Sequence, residues 1–418
     1  MAQFAHDSYI LPASYDSVPQ AFQSNKSAKP IPCSLQTTNV PALTGSAAAS
    51  GTSIIQLPCG SSAGLMLSPY IRFDAAVDTG VAQFKGSTHS ATALINRLST
   101  YINSVQIDNI QSADQVYDTL FAHATSNDWL QRDANVLMGT GVGSITGAGV
   151  AAAAASSGGG LTTTPRTFIV PLIGALGTQQ GIPLYLFNGT LQIQIDWNSV
   201  ARSLFTAGAG AAIALSNVQL VYDKISVEQA FVDKVRMDMM SGQKYVLGYT
   251  NFQATTLATL AGQQTLNYGL NVSSLKGCVA NQVLTADLSD KTAQGLSLAN
   301  GMTQFQLSLD GRLINSNTLD ASSVAKQALV FAELNKVFGR LFDASVTDSS
   351  DAAAYQVQSF AVGVSAQRCN EALAFCGSPV SVASIQATTA AAAYTMTVIF
   401  IADYQLLVDA SGSVEIVR

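Results

Sequence analysis

Short segments in which apolar and polar residues alternate restrict the fold of this sequence more than any other pattern in it. The clearest is Thr190–Trp197, whose apolar residues are Leu191, Ile193, Ile195 and Trp197. Successive side chains of a strand point to opposite faces, so this segment predicts a strand with one buried face. Each buried side chain contributes about 1.5 to 3 kcal/mol, and a slip of one residue would expose all four.

Other segments have the same texture from Thr52 onwards. Phe305, Leu307 and Leu309 alternate with polar residues, and the Asp310–Gly311 pair that follows predicts a hairpin. The segment from Tyr394 to Val408 is apolar on one side and also carries Ile399 and Ile401 on the other, so its middle is expected to be buried on both faces. Short strands separated by turn residues are typical of β-sandwiches and barrels, and the predicted fold class is all-β with few helices.

Helical spacing appears in a few places. Ser112 and Gln115 form a capping-box pattern ahead of apolar residues spaced by four, and a second helical turn is predicted over 128–137. Downstream, Asp320 is expected to precede a helix that Gly339 ends. Glu228–Met240 has apolar residues four apart and is predicted to link two β-rich parts.

The order of elements repeats along the chain, which predicts two copies of one β-rich unit. The length of 418 residues also suits two domains. We predict an extended N-terminal arm over 1–50, a first β-rich unit over 51–228, a linking helix over 229–244 and a second β-rich unit over 245–418. The Gly- and Ala-rich stretch 139–160 is predicted to be an exposed loop of the first unit.

Charge is scarce in this sequence. Lys and Arg number 20 and Asp and Glu 26, for a net charge of −6, and charged residues make up 11% of the chain. That is under half of the usual ~25%, so much of the surface is uncharged and costs little to desolvate against neighbouring copies. No dense basic cluster occurs, so direct nucleic-acid binding is not expected.

The N-terminus lacks a signal-peptide pattern, and no apolar stretch reaches ~18 residues, so we expect no membrane anchor. The five cysteines are scattered and are interpreted as thiols in a reducing compartment.

Residue patterns that carry chemistry are missing. His6, His89 and His123 lie within five residues of neither a cysteine nor another histidine, which argues against a local metal site. The glycine-rich stretch 139–149 lacks the spacing of a phosphate-binding loop. The pair Asp287 and Asp290 is best explained as a solvated loop. We therefore predict no catalytic, cofactor-binding or metal-binding residue and no cofactor.

Three segments resemble the double jelly-roll major capsid proteins of tailless icosahedral, internal-membrane-containing viruses, bacteriophage-like in type. Phe168–Trp197 is similar to late strands of a first jelly roll, Leu215–Val227 to its final strand, and Thr395–Val417 to the terminal strand and hairpin of a second. The resemblance implies two consecutive eight-stranded antiparallel jelly-roll sandwiches in each subunit, and a homotrimer whose pseudo-hexagonal capsomers tile an icosahedral shell.

The same resemblance implies the partners. These are further copies of the chain in the trimer and in neighbouring capsomers, penton and minor capsid proteins, and an internal membrane reached by the arm. The protein would be made in the host cytoplasm and located in the virion.

The main alternative is a receptor- or glycan-binding β-sandwich protein of a virus or cell surface, which would carry exposed aromatic or calcium-binding loops. An enzyme on a jelly-roll scaffold or a secreted surface-layer protein fits the sequence less well.

Overall fold

A computed structural model gives the fold of the chain. It describes residues 33–44, 46–80, 82–126, 129–130, 132–139, 160–177, 181–206, 212–315, 317–338, 352–367, 377–391 and 393–418. The predicted loop interior at 140–159, residues 1–32 of the predicted arm, His6, Gly339 and two of the five cysteines, Cys369 and Cys376, lie outside these ranges.

Strands of the first half of the chain form two facing sheets and one small sheet. One sheet has the order β1-β13-β4-β10, with β2 beside β13 and β9 beside β4; the second has the order β3-β11-β6-β7; the small one is β12-β5-β8. The strands are β1 (Cys33–Pro41), β2 (Ser46–Ala48), β3 (Thr52–Pro58), β4 (Leu65–Val77), β5 (Ala82–Phe84), β6 (Ile95–Ile102), β7 (Val105–Gln111), β8 (Gly160–Leu161), β9 (Arg166–Pro171), β10 (Ile182–Pro183), β11 (Thr190–Trp197), β12 (Leu204–Thr206) and β13 (Ile213–Val227).

Aromatic side chains join the two facing sheets. The ring of Phe73 in β4 meets the ring of Trp197 in β11 edge to face, with 5.2 Å between centroids. Phe73 also contacts Phe168 of β9. The indole nitrogen of Trp197 donates to Ser53 Oγ at 2.9 Å, so the polar end of this buried ring is satisfied. The predicted role of Trp197 in the core is confirmed.

Strands of the second half form one hydrogen-bonded system in the order β14-β20-β15-β19-β16-β17, with β18 beside β15 and β21 beside β20. The 23-residue strand β15 pairs with β19 along its first part and with β20 and β18 along its second, which lets one strand serve two layers. The strands are β14 (Tyr245–Thr259), β15 (Gly262–Leu284), β16 (Gln304–Leu309), β17 (Arg312–Leu313), β18 (Ala361–Ser365), β19 (Ser378–Thr389), β20 (Tyr394–Val408) and β21 (Val414–Val417).

Helices are short and lie between strands. They are α1 (Ala113–Ala124), α2 (Asp133–Met138), α3 (Val200–Ser203), α4 (Gln229–Met240), α5 (Gln327–Val337) and α6 (Ala352–Val357). Helix α4 lies between β13 and β14, within the range predicted for a linking helix, and ends at Met240 rather than 244. Within the described ranges, no helix is both long and apolar enough to cross a membrane.

Several predicted elements are confirmed. Strand β11 has the predicted bounds and alternates between buried and half-buried residues. Strand β20 also has the predicted bounds and is buried on both faces in its middle. Strands β16 and β17 form the predicted hairpin, with Leu309 paired to Arg312.

Other expectations need correction. The arm boundary at residue 50 is wrong, because Cys33–Pro41 pairs along its length with β13 and Ser46–Ala48 pairs with the same strand. Ser112 precedes α1 in a left-handed conformation and makes no side-chain cap, so the predicted capping box does not form. Helix α5 begins at Gln327, after a short 3-10 turn, and not next to Asp320.

Candidate functional site

Helix α1 lies at the centre of the interface between the first half of the chain (β1–β13) and the second half (β14–β21). We call this interface the seam. An amphipathic helix normally exposes its polar face to water. In α1 the polar residues are buried as well: Asp114, Gln115, Asp118, Thr119 and His123. This polar face lies against loops and strands from both halves, so the contacts that it makes decide how the two rolls are held together.

Asp118 is the acceptor at the centre of this seam. Its carboxylate accepts hydrogen bonds from the backbone amides of Ser87 at 2.9 Å and Thr88 at 2.8 Å, and from the Thr88 hydroxyl at 2.7 Å. A buried carboxylate needs several donors to offset its lost hydration. The Ser87 hydroxyl then donates at 2.5 Å to the carbonyl of Gln358 in the second half, so Asp118 orders the loop that crosses the seam.

Three further polar residues of α1 contact the second half directly. The side-chain amide of Asn281, in β15, donates to Thr119 Oγ1 at 2.8 Å and to Gln115 Oε1 at 3.3 Å. His123 Nε2 lies 2.8 Å from the carbonyl oxygen of Ser359. All three contacts are buried, and they join α1 directly to the second half.

Lys85 extends the seam beyond the helix. Its side chain is buried, and its Nζ donates to the backbone carbonyls of Asp287 at 2.5 Å and Asp290 at 2.6 Å. Burial lowers the pKa of Lys85 to about 8, against the opposite influence of the two nearby carboxylates. Asp290 is exposed as predicted, but no sequence pattern indicates that the backbone carbonyls of this loop accept hydrogen bonds from a lysine of the other half.

A second group of contacts surrounds Asp108 in β7. One carboxylate oxygen accepts the amide of Ala175 at 2.9 Å, and the other accepts the side-chain amide of Asn251, in the second half, at 3.0 Å. Burial raises the pKa of Asp108 to about 7, while the backbone hydrogen bonds act in the opposite direction. Gly174 permits this approach, since a Cβ there would lie 1.7 Å from the carboxylate and its φ is +74°.

A cavity opens beside Asp108 between the two halves. It has a volume of about 490 Å³ and is bounded by β7, by β14 and β15, and by Phe400, Tyr404 and Arg418. The hydroxyl of Tyr249 donates to the carbonyl of Ile107 at 2.6 Å at its edge, and the Tyr249 ring packs against Tyr404. The lining is mainly amide, hydroxyl and carboxylate groups.

The hairpin between β20 and β21 makes the third contact between the halves. The side-chain amide of Asn103 donates to the Gly412 carbonyl at 3.2 Å. Gly412 has a φ of +78°, and a Cβ there would lie 2.7 Å from the amide nitrogen of Asn188, so the site requires glycine. Arg236 of helix α4 also donates to the carbonyl of Tyr185 at 2.8 Å, which ties the linking helix to the first half.

The structure places His89 and His123 in buried packing positions. His89 Nδ1 lies 2.7 Å from the Phe84 carbonyl, and burial lowers the pKa of His89. His123 belongs to the seam described above. Across the described ranges, no three His, Cys, Asp or Glu residues lie close enough together to hold a metal ion. Trp129 is half-buried and packs against Phe121.

The outer surface carries scattered large apolar side chains. Leu313 lies in β17, Ile314 directly follows it, and Val382 lies in β19; both strands pair with β16. Val324 lies in the 3-10 turn before α5, and Val357 ends α6. The other exposed members of this set are Leu35, Leu43, Val105, Val136, Met237, Met240, Leu260 and Leu329. With few charges around them, these side chains cost little to remove from water when another surface covers them.

Known proteins are similar to this chain in fold but not in sequence. No protein-family model matches the sequence, and no curated protein is similar enough in sequence to count as a relative. The crystal structure of PBCV-1 VP54, fitted into a reconstruction of the virophage Sputnik, has a TM-score of 0.63 over 95% of this chain and 99% of its own, at 11% identity. The Faustovirus major capsid protein has a TM-score of 0.61 over 92% of each chain at 10% identity.

The chain has the double jelly-roll fold of major capsid proteins. The mavirus major capsid protein agrees, with a TM-score of 0.51 at 10% identity over 91% of this chain and 89% of its own. These neighbours are structural proteins and not enzymes. The predicted fold class, two consecutive antiparallel jelly rolls, is confirmed, and the contacts of α1, Lys85 and Asp108 are therefore the contacts between the rolls of a double jelly roll.

Proposed function

We propose that this protein is a structural major capsid protein that forms homotrimers with a pseudo-hexagonal outline. The observation that carries the proposal is the match of the whole double jelly roll to VP54, which covers 95% of this chain and 99% of the neighbour. A match of both rolls in series is more informative than a match of one, because single jelly rolls occur in proteins with many functions.

The seam between the rolls supports this proposal. Three chains supply six lobes of similar shape only if the two lobes within each chain keep a fixed angle. Buried polar contacts from Asp118, Asn281 and Lys85 are directional and hold that angle. In a closed shell the same angle is repeated in each subunit. If this angle varied from one subunit to the next, the subunits would not fit together in the lattice.

The uncharged surface and the scattered apolar side chains suit lateral contacts between trimers. Many weak contacts, repeated by symmetry, close a shell without any single strong one. We extend the proposal to the partners and location that the sequence resemblance implies. These are penton and minor capsid proteins, an internal membrane reached by the N-terminal segment, a place in the virion shell after synthesis in the host cytoplasm, and no direct contact with nucleic acid.

The division of the chain is part of the same proposal. We assign the first roll to the strands up to Val227, the link to α4, and the second roll to residues 245–418. The first roll then includes β1 and β2, and the arm is shortened to 1–32. A bacteriophage origin stays a prediction from the sequence resemblance.

Light scattering on the purified full chain tests the trimer. We expect a particle with three times the 43.5 kDa mass of one chain over a range of concentrations, and a six-lobed outline by negative-stain electron microscopy. A stable monomer at high concentration would contradict the proposal. Binding to a glycan array by such a monomer would favour the receptor-binding alternative instead.

A further inference from the structure

The cavity between the rolls is lined for a small polar ligand. Its volume of about 490 Å³ lies within the range of about 300 to 1,000 Å³ usual for small-molecule sites. Amide side chains dominate the walls, and they belong to both rolls: Gln106, Asn109, Gln111, Asn251, Gln253 and Asn267. The half-buried ring of Tyr268 provides an apolar surface among these amides and packs against the buried ring of Phe400.

Two buried polar atoms at this cavity have no protein partner within the described ranges. They are Asn251 Oδ1 and the Tyr268 hydroxyl oxygen. Asn251 is only 4% exposed, and its amide nitrogen is already used by Asp108. A buried acceptor without a donor costs free energy, so these two atoms mark a place where an external hydrogen-bonding group would be stabilised.

We propose that this cavity binds a neutral saccharide, with Asn251 and Asp108 at its base and Tyr268 and Asn267 beside the ligand. A sugar hydroxyl both donates and accepts, which matches side-chain amides and the free Asn251 and Tyr268 oxygens. The apolar face of a sugar ring packs on an aromatic ring such as that of Tyr268, which is only half-buried. This proposal is independent of the capsid proposal, since a trimer could form with or without the ligand.

Charge favours a neutral ligand over an ionic one. The carboxyl group of Asp108 at the base of the cavity supplies no positive charge to attract phosphate, and it repels anions when it is ionised, above its pKa of about 7. Arg418 lines the same cavity, and its positive charge acts on Tyr249 and Tyr404, which disfavours organic cations. A metal ion is not supported, because the described residues bring no three metal-binding side chains together here.

Two variants separate ligand contacts from structural ones. Tyr268→Phe removes a hydroxyl, and Asn267→Ala removes an exposed amide; neither group makes a hydrogen bond to the described part of the protein. Neither change should lower the thermal midpoint, and Tyr268→Phe should raise it slightly because it removes a buried hydroxyl without a partner. Tyr394→Phe is the matched control, since it removes a tyrosine hydroxyl at the far end of β20, away from the cavity lining.

Saturation-transfer NMR and calorimetry on the full chain provide the measurement, with glucose, galactose, N-acetylglucosamine and maltose as probes and putrescine and inorganic phosphate as ionic comparisons. We expect at least one saccharide to bind the wild type, about three- to tenfold weaker binding by Tyr268→Phe and Asn267→Ala, and unchanged binding by Tyr394→Phe.

Three results would overturn the proposal: no saccharide binds the wild type, putrescine or phosphate binds in preference, or both cavity variants bind as the wild type does. The oligomeric state is measured on the same samples, so that a failure here is distinguished from a failure of the capsid proposal. If Tyr268→Phe does not fold, the exposed Asn267→Ala still gives the answer.

Discussion

Asp108 makes the stability of the protein depend on pH. It is buried between them, and its two oxygens accept the Ala175 amide and the Asn251 side chain. Burial raises its pKa to about 7 from an ordinary value of 3.8. The folded protein therefore binds a proton at this site more tightly than the unfolded chain does, and ionised Asp108 destabilises the fold.

The sign of the pH effect follows from that difference. Between about pH 4 and pH 7 the folded state holds the proton that the unfolded state has lost, so the stability contributed by Asp108 falls as pH rises through this window. Asp108→Asn removes the charge. We expect the free energy of unfolding of this variant, relative to that of the wild type, to rise by about 2 to 3 kcal/mol between pH 5 and pH 8, with most of the rise below pH 7, measured by urea unfolding at each pH.

Asp320→Asn provides a control of opposite sign. Burial is the largest single influence on Asp320 and acts to raise its pKa, but the hydrogen bonds from Lys326 and Ser322 and the charge of Lys326 together outweigh it and lower the pKa to about 2. The stability that Asp320 contributes is present above pH 4 and lost below it, so this variant should lose stability at neutral pH and not gain it. Equal destabilisation of Asp108→Asn at pH 5 and pH 8 would show that its carboxylate is retained for hydrogen bonding alone.

The individual residues that join the two rolls could not be predicted from the sequence. Asp118, Asn281 and Lys85 come from parts of the chain that share no local pattern, and each would be an ordinary surface residue if its element faced water. The apolar spacing of α1 predicted a helix correctly. Its polar face gave no sign that a second roll covers it, because polarity alone does not distinguish water from a buried partner.

Among the secondary-structure elements, the alternation of apolar and polar residues predicts a strand correctly where one face of that strand packs on a core. Strands β11 and β20 have their predicted bounds for this reason. Strand β1 was missed because most of its residues are exposed on both faces, and Leu35 is 69% exposed. Its pairing depends on backbone hydrogen bonds to β13, which leave no hydrophobic pattern. The helix start at Ser112 was misread because a capping-box sequence does not ensure the backbone conformation that a cap requires.

Truncation tests the place of β1. A chain that starts at residue 33 keeps all nine pairs between β1 and β13, whereas a chain that starts at residue 46 loses them. Loss of β1 leaves the backbone groups of β13 unpaired at a sheet edge, and such edges promote aggregation. We expect the shorter truncation to keep the wild-type thermal midpoint and solubility, and the longer one to lower both. If the two truncated chains behave alike, β1 is not needed for the stability of the first roll and belongs to the arm.

At the scale of the whole molecule, the polar character of the seam has a physical consequence. An apolar interface would hold the rolls together but would tolerate small rotations, because hydrophobic contact has no direction. Hydrogen bonds at Asp118, Asn281 and Lys85 tolerate little change in distance or angle. We therefore expect the two rolls to move as one body.

Asp118→Ala tests this property. The variant leaves the buried amides of Ser87 and Thr88 without their acceptor, which we expect to destabilise the seam by about 2 to 4 kcal/mol. Hydrogen exchange should increase at 86–88, around the Gln358 contact and in α1, while the sheets of each roll stay protected. Asp310→Ala is the matched control, because Asp310 also accepts two backbone amides, those of Ser381 and Val382, but within the second roll. Two results would contradict this expectation: exchange in Asp118→Ala rises evenly over both rolls, or it does not rise at all. Either result would mean that the hydrogen bonds of Asp118 do not set the angle between the rolls.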